Sequence, residues 1–181
     1  MTVLGIAGSL RAGSFNAQLL RLAAEELPEG VELEAFDGLA EIPPYDHDLE
    51  GLSSPAVDRL KAAIAEADAI LVATPEYNGS IPGALKNALD WASRPFPDNC
   101  LRGKPVAVIG ASTGLFGARW AQAELRKVLN TIGASVLATE LAVASAHEAF
   151  TPDRRLGNPR LAATLCSIVS ELLERTLRDA A

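Results

Sequence analysis

Apolar residues fall along this chain in two alternating rhythms. Continuous runs at 2–8 (TVLGIAG), 68–75 (DAILVATP) and 105–112 (PVAVIGAS) have the character of strands buried on both faces of a parallel sheet. Residues 31–36 (VELEAF) alternate apolar and acidic positions, which predicts an edge strand with one wet face, and 135–143 (SVLATELAV) supplies a fifth strand. Between these runs the spacing becomes helical. Phe15, Leu19, Leu22, Ala23 and Leu27 recur on one face before Pro28-Glu29-Gly30 ends the helix. Ser54 stands before Pro55 as the N-cap of a helix running to about Ala67. Leu85, Leu89 and Ala92 share a face within 81–93, and Trp91, in line with Leu85 and Leu89, reads as a core residue. Further helices are predicted from about Ala118 to Ile132, closed by Gly133, and over roughly 158–179. The polar segment 37–54, with Pro43-Pro44, is long for a connection inside a compact domain, which points to a functional or interfacial loop.

Strand and helix thus alternate from end to end, with no internal repeat or linker, so residues 1–181 are read as one domain. The alternation predicts an α/β fold: a doubly wound, five-stranded parallel sheet of order 2-1-3-4-5 with helices on both faces. In such a sheet a ligand binds where the winding reverses, between the first and third strands. The turns after those two strands, GSLRAGSFN (8–16) and TPEYNGS (74–80), are the most unusual segments of the chain. The topology brings them to one crevice.

The first turn has the glycine spacing of a triphosphate loop, Gly8 to Gly13, but Ser14 and Phe15 stand where lysine and a magnesium-binding hydroxyl belong. A dinucleotide fingerprint fails as well, because Gly5 and Gly8 are too far apart. What remains is a set of donors (Ser9, Arg11, Ser14 and Asn16) around the positive end of a helix. That combination describes a cup for a terminal monophosphate without metal. A serine N-cap on an ordinary helix would account for Ser14, but not for its three companions. In the second turn, Pro75 fixes φ, Asn78-Gly79 permits a tight turn that aims backbone N–H groups, and Tyr77 can offer an aromatic face.

Charge and composition narrow the class further. Net charge is −7 with no basic stripe, which argues against nucleic acid as a partner. No apolar run approaches a membrane span, and MTVLGIAGS reads as a strand rather than a signal peptide, so a cytoplasmic protein without membrane contact is expected. Cys100 and Cys166 are far apart and read as reduced thiols, while His47 and His147 lie in polar loops without ligand spacing, so no metal is expected.

GSLRAGSFN, followed by TPEYNGSIPGALKNALDW and ASTGLFGAR, resembles the NADPH-dependent FMN reductase family, a flavodoxin-like group that includes quinone, azo-dye and chromate reductases. The resemblance extends from the first strand to the helix after the fourth. It implies that Ser9, Arg11, Ser14, Phe15 and Asn16 hold the FMN phosphate. It also implies that Pro75, Glu76, Tyr77 and Asn78 line the flavin ring, while Ser112, Gly114 and Gly117 close the other side. Many members carry a double glycine before an alanine–arginine pair, whereas here Gly117 runs directly into Ala118-Arg119. The implied cofactor is FMN, with NADPH or NADH as co-substrate. A nicotinamide passes hydride to the flavin, and quinones, azo compounds, chromate or free flavin collect the electrons in a second half-reaction. A homodimer or homotetramer with flavin sites near the subunit boundary is implied too.

The cofactor would carry the chemistry, so no catalytic side chain is required, and no nucleophile constellation is present. The alternative on the same fold is a flavodoxin-type electron carrier without nicotinamide activity. Arg11 and the glycine-rich third turn favour the reductase. A hydrolase or nucleotide-binding module on this sheet is a third possibility, because fold alone does not determine function.

Overall fold

The computed structural model describes residues 1–179. Its five strands are β1 (Thr2–Ala7), β2 (Glu32–Phe36), β3 (Ala69–Thr74), β4 (Pro105–Ala111) and β5 (Ser135–Val143). They pair in parallel in the order β2-β1-β3-β4-β5, as the strand–helix alternation requires. Every residue of β3 and β4 is buried, which explains their unbroken apolar runs. β2 pairs only with β1, and Glu32 and Glu34 stay exposed.

The helices are α1 (Phe15–Glu25), α2 (Pro55–Glu66), α3 (Gly83–Ala92), α4 (Arg119–Ile132), α5 (Ala146–Ala149) and α6 (Pro159–Asp179). Alternate residues of each strand face opposite sides of the sheet. Leu4, Ile6, Ile70, Val72, Val106 and Val108 pack with α2, α3 and α4. Val3, Leu71, Ala107 and Ile109 pack with α1 and α6 on the other side. Two cores therefore sandwich one sheet, and each fully buried Leu, Ile or Val contributes about 1.5–3 kcal/mol. The strands' C-terminal ends are left free to build a site.

Three features depart from the sequence reading. Ser54 occupies the N-cap of α2 but its side chain makes no cap bond; the hydroxyl beside it, Ser53, donates to Asp58 at 3.0 Å. A four-residue helix, α5, stands after β5 where a loop was expected, being too short to show helical periodicity. The segment 37–54 contains two 3₁₀ turns, Leu39–Glu41 and His47–Leu49, and is fastened to the body of the fold. Leu39 and Ile42 enter the core. The Asn87 side chain accepts from the Tyr45 N–H at 2.7 Å and donates to the Pro43 carbonyl at 2.8 Å. Trp91 is buried as expected, and its indole N–H donates to the same carbonyl at 2.9 Å while Tyr45 packs edge-on against its ring.

Asn87 is thus the main polar fastening of this segment. Asn87→Ala should lower stability by about 1–3 kcal/mol, because it leaves the partly buried Tyr45 N–H without an acceptor and removes one of the two donors to the Pro43 carbonyl. Urea denaturation measures the loss, and limited proteolysis should show new cleavage within 37–54.

Candidate functional site

Three turns meet above the C-terminal ends of β1, β3 and β4 and enclose a cleft of about 280 Å³. Ser9, Arg11, Ser14, Phe15 and Asn16 reach it from the first turn, and Pro75, Glu76 and Tyr77 from the second. The third contributes Ala111, Ser112 and Thr113. Of these, Ala111 and Thr113 escaped the sequence reading; their position flanking Ser112 at the end of an apolar run was the available signal. Asn78, Gly114 and Gly117 do not line the cleft, and each has a different task.

The first turn gathers hydrogen-bond donors at a helix end. Ser14 is the N-cap of α1, with extended backbone, and its Oγ accepts from the Ala17 N–H at 3.2 Å. The helix leaves the N–H groups of Phe15 and Asn16 without intrahelical acceptors. No acidic residue stands in the first turn of α1. Arg11 is exposed, lies 5.5 Å from the Phe15 ring centroid, and has no carboxylate within 4.0 Å among the described residues. Phe15 in turn stacks on Phe150, with ring centroids 5.4 Å apart.

Asn16 does something the sequence did not reveal. Its side chain is buried; Nδ2 donates to the Ala111 carbonyl and Oδ1 accepts from the Ala111 N–H, each at 2.9 Å. The amide mimics a neighbouring strand and ties the first turn to the end of β4. What Asn16 offers an anion is therefore its backbone N–H, with its amide held in the scaffold.

The second turn is a two-residue hairpin. Tyr77 and Ser80 exchange backbone hydrogen bonds at 3.0 and 3.1 Å, with Asn78 at φ +53 and Gly79 at φ +76, the left-handed pair that Asn-Gly adopts readily. Asn78 thus shapes the turn that presents Tyr77, which is half exposed at the cleft. Glu76 Oε2 accepts from the N–H groups of Trp120 and Ala121 at 3.0 and 3.2 Å. The carboxylate caps α4, whose own N-cap residue, Ala118, has no side chain to do so.

In the third turn, Ser112 Oγ accepts from the Gly114 N–H at 3.1 Å, and the Gly114 carbonyl accepts from Ser145 at 3.0 Å. Gly117 lies against β5: a Cβ there would fall 2.6 Å from the Ala142 carbonyl carbon, at φ +61. Ala118 follows Gly117 at φ +61, the region glycine favours, so this turn leaves one alanine in a strained conformation.

Charged groups around the turns are mostly structural. Burial works against ionisation of Glu140 on β5, but Arg126 at 2.6 Å and Arg119 at 3.3 Å outweigh it and hold the carboxyl below its ordinary value. Burial pushes the Cys100 thiol up, and a hydrogen bond with Glu26 does the same for Cys166. Both are protonated at neutral pH and neither lines the cleft. His47 pairs with Glu50 at 3.0 Å, outside the cleft, and His147 lies 3.5 Å from Glu148. No helix among the described residues is long and apolar enough to cross a membrane.

A doubly wound parallel sheet with a carboxylate-free helix end beside a tyrosine-edged cleft at its strand ends defines a flavodoxin-like α/β protein. Comparison with known proteins makes the class specific. Residues 1–148 match the profile of the NADPH-dependent FMN reductases. An NAD(P)H-dependent FMN reductase of Pseudomonas aeruginosa is 47% identical over 156 residues, which cover 85% of this chain and 83% of that protein. A quinone reductase of Escherichia coli is 41% identical over 140 residues, 76% of this chain and 73% of its own. Among solved structures, the flavoenzyme NAD(P)H:(acceptor) oxidoreductase FerB of Paracoccus denitrificans superposes with a TM-score of 0.87 at 36% identity, over 98% of this chain and 97% of that one. The chain belongs to the NADPH-dependent FMN reductase family, and is an FMN-dependent oxidoreductase that works with a nicotinamide nucleotide.

Glu76→Ala should destabilise the protein by about 0.5–2 kcal/mol through loss of the α4 cap, read as a lower Tm. Because the Glu140 carboxyl is held below its ordinary 4.5, its contribution to stability is complete above that pH and disappears as pH falls through its lower folded value. Glu140→Gln should therefore lower the urea midpoint at pH 7, with the gap from wild type closing as the pH is taken below 4.5.

Proposed function

We propose that Ser9, Arg11, Ser14, Phe15 and Asn16 seat the FMN phosphate. In this reading Pro75, Glu76 and Tyr77 border the ring, with Asn78 shaping the turn that presents them, and Ser112 stands on the opposite wall, with Gly114 and Gly117 shaping the turn behind it. The carrying observation is the donor set at the start of α1. It comprises an unpaired guanidinium, two hydroxyls and two helix-end N–H groups, with no carboxylate among them in a chain of net charge −7. That set suits a phosphate dianion and lacks the lysine a triphosphate would need. FMN, when bound, supplies the redox chemistry, taking two electrons from NADPH or NADH and passing them to an acceptor.

The protein's own residues then bind, orient and exclude water. Arg11 neutralises the phosphate and Ser9 donates a hydrogen bond to it, the Asn16–Ala111 bridge keeps the first and third turns in register, and Glu76 holds the second turn against α4. Glu76 serves as a helix cap rather than as a proton donor, and no side chain is assigned a catalytic role. Leu10, Tyr77, Leu115, Phe116 and Trp120, all half exposed or more, belong to the three turns and the start of α4. Such an apolar collar suits flat, poorly hydrated acceptors, and quinones are the favoured class over azo compounds, chromate or free flavin. The same collar supports assembly into a homodimer or homotetramer with the sites near the subunit boundary. A cytoplasmic location and one FMN-binding domain spanning 1–181 complete the proposal.

Two measurements test it. The purified protein should be yellow and should oxidise NADPH or NADH with a quinone and no added reductase; flavin-loaded protein inert to both nucleotides would instead be a flavodoxin-type carrier. Arg11→Ala should weaken FMN retention by about 1.5–3 kcal/mol, or roughly 10- to 150-fold in Kd. Full flavin occupancy of that variant after dialysis would refute the phosphate assignment.

A further inference from the structure

A second cavity, of about 220 Å³, shares Ser14 and Phe15 with the cleft and continues around the start of α1. Gln18 and Arg21 line it from α1, and Phe150, Thr151 and Arg154 from the segment after β5. Two arginines face this space without an acidic partner. Arg21 is hydrogen-bonded to Gln18 at 3.3 Å, and neither Arg21 nor Arg154 has a carboxylate within 4.0 Å among the described residues. Their neighbours are different: Arg155 is paired with Glu25 at 2.7 Å. Asp153 is held below its ordinary value by a hydrogen bond with Thr151 first, and by its own backbone and Arg155 after that. The local carboxylates are thus engaged elsewhere, and the two guanidinia remain open to a ligand.

Arg154 is also fixed in place. Its N–H donates to the Thr151 carbonyl at 2.8 Å, and its own carbonyl accepts from Gln18 Nε2 at 3.0 Å. Its φ of +62 turns the chain sharply at the cavity. The Phe15–Phe150 stack adds an aromatic wall beside these cations. Two free guanidinia and an aromatic wall match a phosphomonoester attached to an adenine nucleoside. They do not match an uncharged acceptor.

We propose that this cavity receives the 2′-phosphate and adenosine of NADPH, with Arg21 and Arg154 as the phosphate's ion partners, and that it selects NADPH over NADH. The inference rests on the reading that the adjoining cleft holds FMN and is served by a nicotinamide. Ser14 and Phe15 border both spaces, so the cavity adjoins the phosphate end of the FMN site, and the co-substrate would lie along the flavin with its adenosine end beyond that phosphate. NADH has no group to engage the arginines, so the discrimination would come from charge-assisted hydrogen bonds available to one nucleotide alone.

The test uses flavin-loaded protein and the Arg21→Ala/Arg154→Ala double variant, with circular dichroism and flavin absorbance confirming folding and occupancy. By calorimetry, 2′,5′-ADP should bind wild type at least tenfold more tightly than 5′-AMP, and the double variant should lose that difference. Inorganic phosphate serves as the control for an unspecific anion site. In steady-state assays kcat/KM for NADPH should fall roughly 10- to 100-fold in the variant, with NADH changed less than twofold. Equal binding of 2′,5′-ADP and 5′-AMP, binding of phosphate as strong as 2′,5′-ADP, or an equal fall with both nucleotides would overturn the proposal. Loss of flavin from the double variant would overturn it too, by assigning these arginines to the FMN phosphate. If wild type oxidises neither nucleotide, the reductase reading fails, and the calorimetry still decides the cavity.

Discussion

The paired hydrogen bonds between the Asn16 amide and the Ala111 peptide are the constraint on which the site depends. They replace the ladder bonds that β4 loses where its pairing with β3 ends at Thr74 and Gly110, and they hold the start of α1 against the end of β4. An anion cup made of backbone N–H groups works only if the helix end is immobile, since each donor must already point at the ligand. Glu76 performs the complementary task on the other side, bonding the second turn to the first residues of α4. Two buried or half-buried side chains, neither of them chemically reactive here, thus join three turns into one rigid frame.

Electrostatics follow from that frame. The chain is acidic overall, yet its few unpaired guanidinia near α1, those of Arg11, Arg21 and Arg154, face two adjoining cavities. Elsewhere cations are mostly matched: Arg126 and Arg119 with Glu140, Arg155 with Glu25, Lys86 with Asp90. Helix ends and clefts of this kind attract anions through local charge in spite of a protein's net charge. The absence of carboxylates from the first turn of α1 matters as much as the presence of arginine.

Much of this was legible in the order of residues. Burial on both faces demands unbroken apolar runs, so β3 and β4 announced themselves, and β2 showed its edge position through Glu32 and Glu34. Nine of the twelve residues expected at the site do line the cleft, because turn chemistry is local and a strand end fixes where a turn must lie. Asn78 and Gly117 were legible as residues of consequence, but for a different reason: one shapes a hairpin, the other permits close approach to Ala142. The fastening of 37–54 by Asn87 and Trp91 was not legible, since nothing local distinguishes an asparagine that reaches across 44 residues from one that faces water.

What the chain order determined by itself was therefore the topology and the placement of the turns, together with the family they belong to. Periodicity, glycine and proline positions and capping residues are local quantities, and the right-handed crossover rule converts them into one sheet order. Only the tertiary structure decided which side chains serve as frame and which face a ligand. Asn16, Glu76 and Arg154 owe their roles to partners 95, 44 and 136 residues away, and such contacts exist only after the sheet has brought distant segments to the same edge.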